Sequence, residues 1–158
     1  MKSYIGIIIV VSILITVGLS GCEELEKLNK PNYINVTIFC SASVTVIDET
    51  TGQRITPIGV IAVNIEIIKS GGERETGKML TPETGGHTGE LSATFKLYKE
   101  QPIVCIANID LASVEAFSEY TFDGKKLTLP WNHFYPAYDY GDSATEHVLL
   151  EIVGMKLK

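Results

Sequence analysis

The chain has 158 residues, with 13 Lys and Arg against 19 Asp and Glu, and a formal net charge of −6 at pH 7. This acidic balance argues against a nucleic-acid partner, because proteins that bind nucleic acids neutralise the phosphates with clustered Lys and Arg. The length suits one domain with a core of its own. The sequence has no cofactor motif and no zinc-like spacing of Cys and His, so we expect neither a resident cofactor nor a metal.

A signal-like segment opens the chain. Lys2 precedes an almost wholly aliphatic run over residues 5–17, and small side chains follow that run. This is the layout of a secretory signal peptide, whose cleavage site requires small residues. The ending Leu-Ser-Gly-Cys22 resembles the lipobox of prokaryotic lipoproteins. In that family the Cys thiol is alkylated with diacylglycerol and becomes the mature N-terminus.

The lipobox resemblance implies that Cys22 carries the lipid, that residues 1–21 are a signal peptide that is removed, and that two acyl chains anchor the protein durably. An uncleaved transmembrane helix is the alternative, because residues 3–22 are uncharged over about the 20 residues that span a bilayer. Both interpretations keep Lys2 on the cytoplasmic side and place the rest of the protein outside. We therefore expect an extracytoplasmic protein held at a cell membrane.

A short charged spacer follows the anchor and occupies residues 22–32. Its segment 23–31 reaches about 30 Å at most when fully extended. The domain that follows, over residues 33–158, is therefore expected to stay close to the membrane.

From residue 33 onward the hydrophobic pattern has a period of two, which predicts half-buried strands rich in β-branched residues. Turn residues separate these runs, and Asp123-Gly124 is typical of a two-residue hairpin turn. The fold class that follows is all-β, a single antiparallel β-sandwich of an Ig-like or prealbumin-like kind. The predicted strands are 33–47, 58–68, 74–80, 91–97, 103–109, 115–122, 125–129 and 144–158, with turns at 48–52 and 70–72 and an irregular loop over residues 81–89. One or two helical turns over residues 111–119 are the alternative to the start of the strand 115–122.

Part of this domain resembles the carboxypeptidase-regulatory or prealbumin-like β-sandwich family. Three segments within residues 36–109 carry the resemblance: Val-Thr-Val-Ile-Asp-x-x-Thr-Gly52, Gly-Val-x-Ala-Val63, and Thr-Gly89 leading to Phe-x-Leu97. Modules of this family recur in surface adhesins and lipoproteins and serve as non-catalytic scaffolds. The resemblance implies the same kind of role here.

Two cysteines remain once Cys22 is assigned to the lipid, namely Cys40 and Cys105. Both lie at the apolar parity of predicted strands, and an even number of cysteines outside the cytoplasm favours a disulfide. The alternative is a pair of unlinked buried thiols that behave as small hydrophobic side chains. The sequence leaves both open, because it does not give the distance between the two Cα atoms.

Aromatic residues concentrate near the end of the chain. Eight of the twelve that follow residue 22 lie between residues 117 and 140. Aromatic side chains offer rigid, amphipathic contact area for a protein or a glycan ligand. The alternative is that this segment folds over one open end of the sandwich and plugs it. The residues of the predicted binding surface are Trp131, His133, Phe134, Tyr135, Tyr138 and Tyr140.

Together these features predict a lipid-anchored binding, adhesion or scaffold module without catalytic activity. An accessory subunit of a membrane or cell-envelope complex, docking through the aromatic residues, is the alternative. A third interpretation is a hydrolase, because Ser143 and His147 have the side chains of a nucleophile and a general base and lie on one segment. The Gly-x-Ser-x-Gly turn that exposes such a nucleophile in α/β-hydrolases does not occur, which makes the hydrolase the weakest of the three.

Overall fold

The structure, a computed structural model, describes residues 31–156, so the signal-like segment and Cys22 lie outside the described residues. Nine strands, a 3-10 helix and a single-turn α-helix occupy the described part of the chain. They are β1 Tyr33–Ile47, β2 Arg54–Ile55, β3 Ala62–Lys69, β4 Arg74–Leu80, β5 Leu91–Tyr98, β6 Ile103–Ile109, the 3-10 helix Leu111–Phe117, β7 Tyr120–Phe122, β8 Lys125–Leu129, α1 Trp131–Phe134 and β9 Ser143–Lys156.

The strands form two sheets, which confirms the predicted all-β sandwich. The first sheet has the order β2–β1–β9–β7, with β5 beside the first half of β1, and the second has the order β4–β3–β6–β8. All strand pairs but one are antiparallel. The exception is β9, which runs parallel to β1 from the pair Asn35–Ser143 to the pair Val46–Gly154. Alternating hydrophobicity gives the face of a strand but not its direction, so the sequence did not predict this pairing.

A single hydrophobic core lies between the two sheets. Alternate residues of β1 point into it, while their neighbours lie on the outer face of the first sheet. The predicted strand over residues 58–68 begins later than expected, at Ala62, although its apolar face is buried as predicted. The largest fully buried side chains are Phe134, Ile34, Ile38, Ile61, Ile65, Ile67, Leu97, Ile103 and Ile152.

Two of the predicted turns are confirmed. The Asp48 carboxylate accepts the Thr51 N–H at 2.9 Å, and this bond is the main reason why the pKa of Asp48 lies below its usual value. Gly52 follows with φ +69° and donates its N–H to the Asp48 carbonyl oxygen at 2.7 Å. In the second turn Gly71 and Gly72 have φ +105° and +94°, a region that other residues rarely adopt.

The predicted hairpin about Asp123-Gly124 is wrong. Its first strand, predicted over residues 115–122, is only Tyr120–Phe122, because the 3-10 helix continues to Phe117. β7 pairs with β9 in the first sheet, whereas β8 pairs with β6 in the second sheet. The dipeptide therefore carries the chain from one sheet to the other. A Cβ on Gly124 would lie 1.9 Å from Asn108 Oδ1 and 3.1 Å from the Ala107 carbonyl oxygen, so the glycine serves close approach to β6 rather than a hairpin turn.

Thr88 pairs with β1 in the gap between β5 and β2, which both lie along the same edge of β1. Its N–H donates to the Ala42 carbonyl oxygen at 2.8 Å, and its hydroxyl accepts the Ala42 N–H at 3.0 Å. The same hydroxyl donates to the Gly89 carbonyl oxygen at 2.8 Å. This buried side chain fixes the loop of residues 81–89 against the first sheet.

Replacement of Thr88 by Val is expected to destabilise the fold by about 1–3 kcal/mol, because the buried Ala42 N–H loses its acceptor while the side-chain shape is kept. Urea unfolding followed by circular dichroism measures this difference. Thr145→Val, at an exposed position of β9, is the matched control and is expected to change stability by less than about 0.5 kcal/mol. Equal stabilities of the two variants would contradict the role given to Thr88.

Candidate functional site

The aromatic segment, residues 130–140, is both a plug and a surface. Phe134 ends α1 with a side chain that is 1% exposed and belongs to the core. Trp131 and Tyr138 are partly buried and pack against that core. Tyr135 and Tyr140 are 41% and 38% exposed. The two alternatives left open by the sequence therefore each describe a different part of the same segment.

Three of these rings contact one another, and we call Trp131, Tyr135 and Tyr140 the ring cluster. The Trp131 centroid lies 5.8 Å from that of Tyr135 and 5.9 Å from that of Tyr140. The two tyrosine rings are 6.2 Å apart. Such pairs contribute about 0.5–1.5 kcal/mol beyond their area burial, so the cluster is held in a defined arrangement.

His133 belongs to a different set of contacts. Its Nε2 lies 3.0 Å from Glu146 Oε2 in β9, and its ring meets the Phe134 ring edge-to-face. The contact with Glu146 joins α1 to the start of β9. Of the six predicted binding residues, the structure therefore brings three together as partly exposed rings, while His133, Phe134 and Tyr138 hold the segment in place.

The ring cluster lies at the end of the sandwich where β1 begins, which we call the tether end. The Gly141 N–H donates to the Tyr33 carbonyl oxygen at 2.8 Å, directly after the cluster. The Tyr33 ring meets the Tyr98 ring edge-to-face at 5.8 Å, and Lys96 Nζ lies 4.6 Å from the Tyr33 centroid. Tyr33 is also the first strand residue after the predicted spacer. The tether end is therefore rich in aromatic side chains.

A second candidate site, which the sequence reasoning missed, lies on the outer face of the first sheet. It is a pocket of about 480 Å³, here called the outer pocket. The loop of residues 81–89 forms one wall, and β1 and β9 form the floor. The one signal in the sequence is Leu149, an apolar residue at the solvent-facing parity of β9, which is 49% exposed. The lining residues are Ser43, Val44, Thr45, Thr56, Gly86, His87, Leu149 and Glu151.

The outer pocket carries a balanced charge and several hydroxyl groups. The Glu151 carboxylate pairs with the Arg54 guanidinium, which lies beside the pocket in β2. Both side chains are partly exposed, so this pair adds little stability but neutralises the carboxylate. Ser43 and Thr45 offer hydroxyl groups from β1, and Leu149 offers apolar surface. A neutral ligand with both hydroxyl groups and C–H faces suits this lining.

Cys40 in the first sheet and Cys105 in the second are both fully buried, and the structure describes both as free thiols. A hydrogen-bonding contact with Cys40, together with burial, raises the pKa of the Cys105 thiol. The two sulfur atoms are therefore neighbours across the core. The disulfide between them stays a prediction.

The serine and histidine of the hydrolase interpretation do not lie together. Ser143 and His147 are four residues apart on β9, which places them about 13 Å apart along the strand. His147 instead stacks on Phe39 with a centroid distance of 4.9 Å, and its Nδ1 lies 3.3 Å from Glu90 Oε1. A nucleophile and its base must lie within hydrogen-bond reach, so this pair does not act as one.

No protein-family model, no curated protein and no solved structure matches the chain. The prealbumin-like resemblance of residues 36–109 therefore stays a prediction. Within residues 31–156, no helix is both long enough and apolar enough to cross a membrane.

Proposed function

We propose that the protein is a lipid-anchored, non-catalytic binding module that faces away from the cytoplasm. The observation that carries the proposal is the position of the outer pocket relative to the start of β1. Thr45, which lines the pocket, lies twelve residues after Tyr33, or about 40 Å along the strand. The outer pocket therefore lies near the end of β1 that is farther along the chain from Cys22.

The ligand class that suits the outer pocket is a neutral saccharide. The charges of Arg54 and Glu151 cancel, so the site offers no unpaired charge to a strongly acidic or basic ligand, and such ligands are disfavoured. The hydroxyl groups and the Glu151 carboxylate supply hydrogen-bonding groups, and Leu149 supplies an apolar contact for a sugar face. The sequence predicted a protein or a glycan as the ligand, and the lining of the outer pocket favours the glycan.

The anchor is tested by metabolic labelling of the full chain with an alkyne fatty acid. We expect the wild-type protein to be labelled and Cys22→Ala to lose the label, because the alkylated thiol is removed. Cys105→Ala is the control and is expected to keep the label. An unlabelled wild-type protein that stays in the membrane fraction would favour the transmembrane-helix alternative.

The outer pocket is tested by titration of the protein with neutral hexoses and hexose oligosaccharides, followed by NMR chemical shifts. We expect shifts at Ser43, Thr45 and Leu149, and a loss of binding of about tenfold or more in Leu149→Lys, because the long charged side chain fills the pocket. Met155→Lys is the matched control, since Met155 is also 49% exposed on β9 but does not line the pocket. Equal binding by both variants would contradict the assignment.

The second candidate function is an accessory subunit of a membrane or cell-envelope complex. The exposed tyrosines of the ring cluster favour it, because aromatic residues are enriched at protein–protein interfaces. Crosslinking in native membranes separates the two functions. An accessory subunit would bring a stoichiometric protein partner joined near Tyr135 or Tyr140.

A further inference from the structure

We propose that the ring cluster rests in the headgroup region of the bilayer that carries the Cys22 lipid. This inference depends on the proposed anchor and adds a second, reversible membrane contact to it. The exposed rings of the cluster therefore contact the bilayer and not a protein partner. The domain would then stand on the membrane at its tether end with the outer pocket directed outward.

The first argument is the position of the cluster relative to the point where the chain leaves the domain. Tyr33 lies eleven residues after Cys22, so the spacer spans at most about 40 Å and keeps the tether end near the lipid. The hydrogen bond from Gly141 to the Tyr33 carbonyl oxygen places the end of the aromatic segment at the same point. A short tether of this kind gives the adjacent surface a high effective concentration at the membrane.

The second argument is the chemistry of the exposed surface. Trp and Tyr are the residues enriched at the membrane–water interface, because each has an apolar ring and a polar group. Tyr135 and Tyr140 are 41% and 38% exposed, and Trp131 stacks against both. A cluster of one tryptophan and two tyrosines at the tether end is therefore suited to the headgroup region.

The charges near the cluster favour an uncharged lipid surface. Asp139 and Asp142 flank Tyr140, and the Asp142 carboxylate accepts the Asp139 N–H at 2.8 Å. Lys96 of β5 lies over the Tyr33 ring, and its ammonium is engaged there by a cation–π contact. Since basic residues supply the attraction to anionic lipids, we expect the contact to be stronger on zwitterionic than on anionic bilayers.

The test uses the fact that Trp131 is the only tryptophan of the chain. The lipidated protein is placed in phosphatidylcholine vesicles that contain lipids brominated at different depths, and Trp131 fluorescence is recorded. We expect lipids brominated close to the headgroups to quench Trp131 more strongly than lipids brominated near the bilayer centre. An anionic bilayer of phosphatidylglycerol is expected to give weaker quenching.

Two variants distinguish docking from mere proximity. Replacing both Tyr135 and Tyr140 by Ser is expected to reduce the docked fraction about tenfold, because the two interfacial rings are removed. Tyr120→Ser, which removes a ring on β7 at the other end of the sandwich, is the control and is expected to leave quenching unchanged. Insertion of about 30 Gly and Ser residues after Pro31 is expected to preserve part of the quenching, since the rings bind the bilayer themselves.

Flotation of the same vesicles separates this inference from the anchor. Protein that floats but shows no quenching of Trp131 would overturn the docking proposal and leave the anchor intact. Protein that does not float would overturn the anchor itself. Quenching that is unchanged in the double Tyr variant would also overturn the docking proposal, as would a protein crosslinked stoichiometrically at these rings in native membranes.

Discussion

Protein purified without a reducing agent is expected to contain a Cys40–Cys105 disulfide, and its reduction is expected to cost about 4 kcal/mol of stability. The two thiols are buried neighbours in opposite sheets, and 64 residues, 41–104, lie between them. Closing so long a loop removes considerable entropy from the unfolded chain, which is the main source of the stabilisation in the chain-entropy account. The proposed location outside the cytoplasm would allow the bond to persist.

Oxidation of the two thiols requires a disulfide-containing oxidant of the extracytoplasmic space. The Cys40 and Cys105 thiols lose two protons and two electrons as the S–S bond forms, and the donor's disulfide is reduced to a dithiol. Intact mass, which falls by the mass of two hydrogen atoms, and thiol titration in denaturant measure the product. Urea unfolding with and without reductant measures the stability difference.

The double variant Cys40→Ala/Cys105→Ala is the control for this prediction. Its unfolding is expected to be insensitive to reductant, because it has no bond to break. Two titratable thiols in denatured, never-reduced protein would contradict the disulfide. The pair would then be two buried hydrophobic side chains, as the alternative interpretation of the sequence holds.

The second large effect is expected for Phe134→Ala, which should destabilise the domain by about 3–5 kcal/mol. Phe134 is 1% exposed and is among the largest fully buried side chains of the core. Removal of its ring leaves a cavity, because α1 and the two sheets around it relax only in part. Urea unfolding of the two proteins measures the loss.

Tyr135→Ala is the matched control, because Tyr135 is the next residue and also aromatic, but it is 41% exposed. We expect it to cost less than about 1.5 kcal/mol, since it loses its ring contacts with Trp131 and Tyr140 but leaves the core filled. Equal losses for the two variants would contradict the division of the aromatic segment into a plug and an exposed ring cluster.

The features predicted correctly from the sequence are those that depend on local patterns. Alternation from residue 33 onward predicted β1 and its buried face, because a strand places successive side chains on opposite faces. The turns at residues 48–52 and 70–72 followed from the special backbone conformations that Gly52, Gly71 and Gly72 adopt. The pattern of residues 91–97 likewise predicted β5, which the structure places at Leu91–Tyr98.

The features that were missed depend on contacts between distant parts of the chain. The parallel pairing of β9 with β1 has no local signature, because either direction would bury the same face. Asp123-Gly124 has the composition of a hairpin turn but joins strands of different sheets. The outer pocket combines four segments of the chain, at residues 43–45, 56, 86–87 and 149–151, that only the fold brings together.

The same distinction applies to the aromatic segment. The sequence predicted that rings are concentrated there, but not which ring enters the core. Phe134 does so because the single turn of α1 directs it toward the core while Tyr135 remains on the surface. The contact of Trp131 with both tyrosines was likewise not encoded in their spacing.

The most direct test of the central claim is the intact mass of the protein extracted from membranes with detergent. The proposal of a lipid-anchored module predicts a chain that begins at Cys22 and carries a diacylglyceryl group on the thiol. Release of the acyl chains by mild alkali should then lower the mass by two fatty acyl groups. A chain that retains residues 1–21, or that begins at Cys22 without lipid, would contradict the proposed anchor and with it the orientation of the outer pocket.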